Sequence, residues 1–317
     1  MPRPLQPRFF RHDTAIVESS SIGRGTRIGA FAHVLPGAVI GANCVICDQT
    51  FLESDVRIGD RVTIQCGVQL WDGITIEDDV FIGPNATFAN HPYPRSKDHP
   101  SPLVRTVVKK RASIGANATL MPGITVGQQA MIGAGSVVTG DVPPWAIVTG
   151  NPARIVGYEG AGAASAEVMA AAPVKSGASK TRVAGVALHR LPQAQDLRGL
   201  LTFAEVGKQV PFEVKRYFLV SGVATREVRG EHAHRKLHQF LVCVQGQCHI
   251  VADDGRNRQE FVLDSPALAL YLPPMVWGIQ YRFSQDAALL VLCSGKYDRA
   301  DYIRDYAEFL HLATGSR

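Results

Sequence analysis

The sequence predicts a mainly β protein of two unlike domains, a parallel β-helix followed by a sandwich or barrel of short strands. Three observations carry that prediction. An aliphatic or aromatic residue recurs every sixth position through the first half, the hydrophobic period drops to two in the second half, and an Ala/Gly/Ser-rich stretch separates them. The length of 317 residues agrees, fitting two domains of about 150 residues each.

The six-residue period runs through Ile16, Ile22, Ile28, Val34, Ile40, Ile46, Leu52, Ile58, Ile64, Leu70, Ile76, Ile82 and Phe88. Its phase breaks between Asn90 and Ser113, then resumes with Ile114, Leu120, Val126, Ile132 and Val138. A strand of about six residues cannot bury its own apolar side, so many such units stack into a column. Glycine follows many of the periodic residues (Gly23, Gly29, Gly41, Gly59, Gly83, Gly115, Gly127, Gly133), which places it at the tight corner of a small coil. The break, from Phe88 to His99, is polar and proline-rich, the character of a functional insertion.

Charge and composition exclude several functions. The net charge of +5 is spread over both halves, and no basic run exceeds Lys109 to Arg111, so no nucleic-acid stripe is expected. No apolar leader opens the chain and no run of about 18 apolar residues occurs, which predicts a soluble, cytoplasmic protein without membrane partners. The six cysteines are scattered, and the lone C-x-x-C of Cys44 and Cys47 has no second pair, so all are read as buried free thiols.

The domains are drawn at residues 1–158, a linker at 159–181, and residues 182–317. A short alanine-driven helix over 164–172 is compatible with the linker. Beyond it, residues 212–220, 239–244, 248–252, 259–263 and 287–293 read as strands, with a tight hairpin at Asp253 to Gly255 and a helix over 302–312.

The repeats and the closing run from Gly133 through Asn151 to Arg154 resemble the hexapeptide-repeat acyltransferases. That resemblance implies a left-handed coil, a homotrimer with active sites between subunits, and acetyl-CoA as co-substrate. It sets Gly133 and Ala134 along the pantetheine arm, the Ala134 N–H as a donor to the reaction's oxyanion, and Arg111, Asn151 and Arg154 toward the CoA nucleotide. The insertion is similar to that of relatives acetylating the 3-amino group of nucleotide-linked deoxysugars. The likeness implies that Asn90 contacts the sugar, with Tyr93 and Arg95 beside it. His91 reads either as a general base or as a solvent-facing loop residue, whereas His33 reads as structural.

In the second half, His232, His234 and His238 followed by Gly246 resemble the first cupin motif, but Trp277 and Gly278 stand where metal cupins place another histidine. A three-histidine metal site stays open, since all three have the same strand parity. The stretches 211–217, 229–234, 263–266 and 272–277 resemble the metal-free sugar 3,4-ketoisomerases, which implies a cupin-like jelly roll. The resemblance makes His232 and His234 the proton carriers, with Tyr217 donating toward sugar oxygens, Arg216 and Arg229 toward a diphosphate, and Trp277 in the substrate pocket. No metal is required for an enediol shift.

Joined, the two likenesses imply a dTDP-linked 4-keto-6-deoxyhexose isomerised to its 3-keto form, aminated by a PLP aminotransferase acting in trans, then N-acetylated for surface polysaccharide. Two rival readings keep the acyltransferase and make the cupin either a sugar-binding module without chemistry or a metal-dependent oxygenase.

Overall fold

The computed structural model describes residues 9–97, 104–161, 177–197, 199–223 and 227–315. The contemplated linker helix and His99 lie outside them. The chain forms two units, Met1–Glu159 and Gly160–Arg317.

In the first unit, two- and three-residue strands stack into three parallel ladders, the faces of a β-helix. Ile28, Ile46, Ile64, Ile82, Ile114, Ile132 and Val148 follow one another on the first face. The second carries Val34, Leu52, Leu70, Phe88, Leu120 and Val138, and the third Ile22, Ile40, Ile58, Ile76, Val108 and Val126. Nearly all are fully buried. A second inward column stands two residues before nearly all of them and includes Ala32, Cys44, Val62, Val80 and Ala118. The sequence reading missed it because alanines are weak hydrophobic signals, yet alanine is what the narrow interior accommodates beside isoleucine.

Two expectations about the period change. Ile16 is 56% exposed, because the first coil is one residue short: Ile16 pairs with His33, so Val17 opposes Val34. The interruption is also shorter than its sequence phase suggested. Thr106–Val108 is already a rung opposite Ile74–Ile76, and partners lie 18 residues apart before the break (Thr63 with Phe81) but 32 across it (Phe81 with Ser113), an insertion of 14.

The glycines after the periodic residues also have a different cause. None of the eight has a positive φ. They are small because successive coils touch there: a Cβ on Gly83 would lie 2.7 Å from the Ala116 nitrogen, and one on Gly115 2.5 Å from that of Ala134. The left-handed corner falls two residues later, at Gly25, Gly67 and Gly135 and equally at Asn43, Asn85, Asn117 and Arg111.

The second unit is an antiparallel sandwich. A six-stranded sheet runs in the order 177–180, 187–190, 268–272, 239–245, 288–293, 216–221, and a five-stranded sheet in the order 258–263, 248–253, 277–281, 229–234, 302–303. Leu241, Ile250, Phe261, Leu263, Leu270, Leu289 and Val291 fill its core. Strand Gly177–Lys180 occupies the end of the stretch drawn as linker. The turn after Asp253 is longer than a two-residue hairpin, with Asp254 N–H bonded to the Asn257 carbonyl. The final helix begins at Tyr306 behind an Asp305 N-cap, because Tyr302–Ile303 is spent as a strand against Ala233 and His234.

The cysteine expectation holds in part. All six are free thiols, with Cys44, Cys243, Cys248 and Cys293 buried, but Cys47 is half-buried and Cys66 exposed. Among the described residues no helix is long and apolar enough to cross a membrane.

Candidate active sites

In the solenoid, the expected residues fall on different corners of the prism. Asn90 and His91 follow Phe88, between the second and third faces. Gly133 and Ala134 follow Ile132, between the first and second, and Arg111 follows Val108, between the third and first. The corner of Gly133 is itself well built. Its N–H bonds the Val148 carbonyl at 2.8 Å, a Cβ on it would meet the Thr149 methyl at 2.7 Å, and the Ala153 N–H bonds the Val137 carbonyl at 2.8 Å. Ala134, Asn151 and Arg154 therefore share one end of the solenoid with Gly133, the Asn151–Pro152 peptide being cis.

On the insertion, the His91 Nδ1 accepts the Tyr93 N–H at 2.9 Å, which leaves its other nitrogen free for chemistry. Tyr93 is exposed, and the Arg95 guanidinium donates to the Pro94 carbonyl. His33 pairs with Glu18 at 3.0 Å and packs edge-on against Phe51, in keeping with its structural reading.

In the sandwich, the histidine pair is assembled inside one chain. Period-two alternation turns His232 and His234 to the same face of strand Arg229–His234, with ring centroids 4.9 Å apart and perpendicular. The His232 Nδ1 donates to the Gly230 carbonyl at 2.7 Å, and the His234 Nδ1 donates to Asp301 Oδ2 at 2.9 Å. Each partner only accepts, so in both neutral rings the proton sits on Nδ1 and Nε2 carries the lone pair. The His234 Nε2 is buried with no partner.

Burial lowers the pKa of both rings. For His234 desolvation is the largest cause, reinforced by His232 and opposed by Asp301, and the result is about 4. For His232 desolvation again leads, opposed by the Gly230 carbonyl and helped by the Arg304 charge. At neutral pH the pair is thus two uncharged bases. Asp301 is fixed in turn by the backbone N–H groups of Lys236 at 2.8 Å and Leu237 at 3.3 Å.

A β-bulge decides which other side chain joins them. The ladder matches Arg229 to Gln280 and His232 to Gly278, leaving Glu231 as the extra residue at φ 52°. Three positions apart, Arg229 and His232 would point oppositely on a regular strand. The extra residue restores them to one face. Gly230 permits this, since a Cβ there would lie 2.5 Å from the Gly278 carbonyl oxygen and its own φ is 86°.

Four further residues take places that the sequence did not show. Tyr217 is 67% exposed and points to the outer face of the six-stranded sheet, opposite to its neighbour Arg216. Trp277 is buried against Tyr306 and Phe309 of the C-terminal helix, on the face away from His232. His238 lies beyond a turn that ends the strand, so parity is lost; its Nδ1 shares a 2.6 Å hydrogen bond with the Tyr271 hydroxyl in the outer cluster of Phe212 and Phe240. The three-histidine set is therefore not formed by this chain. Arg216 turns inward, stacked on Phe218 and Tyr297 and facing Cys293 and Tyr302, with its Nε buried and unpartnered.

The residues missed from sequence are Asp301 and Tyr302. The Tyr302 ring lies 4.8 Å from His232 and 4.4 Å from His234. Their only sequence signal is a position at the start of the expected C-terminal helix, whose range of 302–312 takes in Tyr302.

The fold defines a polypeptide of two unlike units, a hexapeptide-type solenoid and a cupin-like sandwich with a paired-histidine cluster. Residues 184–314 match the family described as WxcM-like, C-terminal, and residues 19–54, 55–90 and 105–140 match the bacterial transferase hexapeptide repeats. The chain is 46% identical over 114 residues to a TDP-4-oxo-6-deoxy-alpha-D-glucose-3,4-oxoisomerase of Aneurinibacillus thermoaerophilus, spanning 36% of this chain and 82% of that protein. It is 56% identical over 149 residues to a dTDP-3-amino-3,6-dideoxy-alpha-D-galactopyranose 3-N-acetyltransferase of the same organism, spanning 47% of this chain and 78% of that protein. A solved 3,4-ketoisomerase from Helicobacter canadensis shares 37% identity with a TM-score of 0.40, covering 41% of this chain and 98% of its own. The chain belongs to the WxcM-like family, with a hexapeptide-repeat transferase in the same polypeptide. It is a bifunctional enzyme, an N-acetyltransferase in its first unit and a 3,4-ketoisomerase in its second.

Proposed function

We propose that the second unit converts a dTDP-4-keto-6-deoxyhexose to the 3-keto isomer, and that the first acetylates the 3-amino sugar made from it. The observation that carries the isomerase half is the His234–Asp301 pair beside His232: a neutral, desolvated imidazole held with Nε2 free is the base that C3 proton removal needs. His234 takes the C3 proton and returns it to C4, with Asp301 holding its tautomer. His232 turns a second lone pair into the same space. Arg229, on the same face, supplies a cation for the diphosphate.

For the acetyl half, Asn90 and Tyr93 meet the amino sugar, and the corner of Gly133, Ala134, Asn151 and Arg154 receives acetyl-CoA. The amine attacks the thioester carbonyl, the C–S bond breaks, and the amine proton leaves with solvent or His91. Because the acceptor and donor groups occupy different corners of one prism, the complete site lies between neighbouring copies of a trimer. The galacto configuration of the product follows the acetyltransferase relative at 56% identity.

The halves flank an amination, so a PLP aminotransferase acts between them in trans, in the cytoplasm where acetyl-CoA and nucleotide sugars are made. The test incubates the purified full chain with dTDP-4-keto-6-deoxyglucose in deuterated water, followed by NMR at C3 and C4. Deuterated 3-keto sugar supports the isomerase, and an unchanged spectrum from folded protein overturns it. Mixing Asn90→Ala and Gly133→Val chains tests the shared acetyl site: activity restored in mixed trimers supports it, while two inactive parents giving an inactive mixture oppose it.

A further inference from the structure

Ketoisomerisation moves two protons, and the histidine pair accounts for one. The carbon proton goes from C3 to C4. A hydroxyl proton must also leave O3 as that carbon becomes the ketone and arrive at O4 as the old ketone becomes a hydroxyl. A group serving both oxygens has to donate and accept through one atom. Neither histidine does so in its resting state. Both hold their single proton on Nδ1, tied to the Gly230 carbonyl and to Asp301, and offer only the Nε2 lone pair.

A phenol has both capacities on one oxygen, and one phenol meets the two rings. Tyr302 packs against His232 at 4.8 Å and His234 at 4.4 Å between centroids, in register with His234 on the adjoining strand. Its chain neighbour Asp301 orients the His234 base, so one dipeptide fixes both groups. The Arg216 guanidinium faces the Tyr302 phenol, and Arg304 lies 4.5 Å over its ring. Arg216 has no carboxylate partner among its described contacts, only the Cys293 thiol and the rings of Phe218 and Tyr297. Arg216 and Arg304 thus set two cations around the phenol, where they offset negative charge that builds on its oxygen during proton transfer.

We propose that Tyr302 carries the hydroxyl proton between O3 and O4, with Arg216 positioned to stabilise its phenolate. The inference rests on the isomerase reading of the second unit. As His234 removes the C3 proton, the C3–C4 double bond forms and the C4 carbonyl electrons move to O4, which takes the Tyr302 proton. The phenolate then removes the O3 proton, the C3 carbonyl forms, and C4 recovers the carbon proton from His234. One C–H and one O–H bond break, one of each forms, and both protein groups end as they began. No oxidant or further reactant enters.

The experiment uses the full-length protein with dTDP-4-keto-6-deoxyglucose in deuterated water, recording both deuterium exchange at C3 and net 3-keto sugar. Tyr302→Phe keeps the ring that packs on both imidazoles. It is expected to lower net isomerisation by about 100-fold or more while C3 exchange falls much less, because His234 still forms the enolate and returns the proton to the same carbon. Arg216→Gln is expected to shift the exchange-to-isomerisation ratio in the same direction by a smaller factor, which supplies a second readout if the first variant fails to fold. Wild-type turnover in Tyr302→Phe overturns the proposal. Equal loss of exchange and isomerisation in a folded variant also overturns it, since that marks a role in placing the imidazoles. Absence of isomerisation by the wild-type chain instead defeats the isomerase reading on which it rests.

Discussion

The solenoid and the sandwich contain comparable lengths of chain and solve opposite problems. In the solenoid most rungs repeat a neighbour 18 residues away, so one coil predicts the next, yet Asn90, Arg111 and Gly133 end on three different corners. In the sandwich almost nothing repeats, but strands distant in sequence bring His232, His234, Asp301, Tyr302 and Arg216 into contact. Regularity places backbone well and gathers side chains poorly. Under the shared-site proposal the stack takes its missing corner from another copy, whereas the sandwich gathers its histidine cluster within one chain.

The sharpest break in that comparison is His234→Asn. It is expected to reduce isomerisation by about 1,000-fold or more, with thiol release from acetyl-CoA unchanged in the same protein. Loss of both activities would show that the two centres do not act separately. Asp301→Asn is expected to cost about 100-fold in isomerisation, since it removes the carboxylate that selects the His234 tautomer. Asp301 raises the His234 pKa, so in that variant the acid limb of the pH–rate profile moves down, and an unmoved limb would sink the assignment.

The same histidine gives the sandwich a pH dependence. The folded His234 pKa of about 4 lies below its unfolded value of 6.5, so between those values the unfolded chain binds more protons. Stability contributed by the neutral ring is complete above pH 6.5 and falls as pH drops toward 4, by up to about 3 kcal/mol. Denaturant titrations of wild type and His234→Asn at pH 7 and pH 4.5 measure it: the wild-type loss should shrink in the variant.

A smaller effect distinguishes the two kinds of solenoid glycine. Gly115→Ala is expected to cost about 1–3 kcal/mol through contact with Ala134, although its backbone is ordinary. Asn117→Gly, at φ 56°, should be neutral or stabilising by a few tenths of a kcal/mol. Thermal melts that reversed this order would return the corner role to Gly115.

The sequence determined the coil period, the stacked apolar column, the short strands of the second half and the His232–His234 face. Each depends on local periodicity, which a chain displays without knowing its partners. It left the insertion length blurred: the resumed period was started at Ile114, although Val108, six residues earlier, already forms a rung opposite Ile76. Tertiary structure alone decided the rest. The turn after His234 sent His238 to the outer cluster, and the bulge at Glu231 brought Arg229 back to the histidine face. Pairing with Ala233 and His234 converted the expected first turn of a helix into the strand that delivers Tyr302, with Asp301 just before it. Parity counts hold only while a strand continues without insertion, and contacts nearly 70 residues apart leave no local trace.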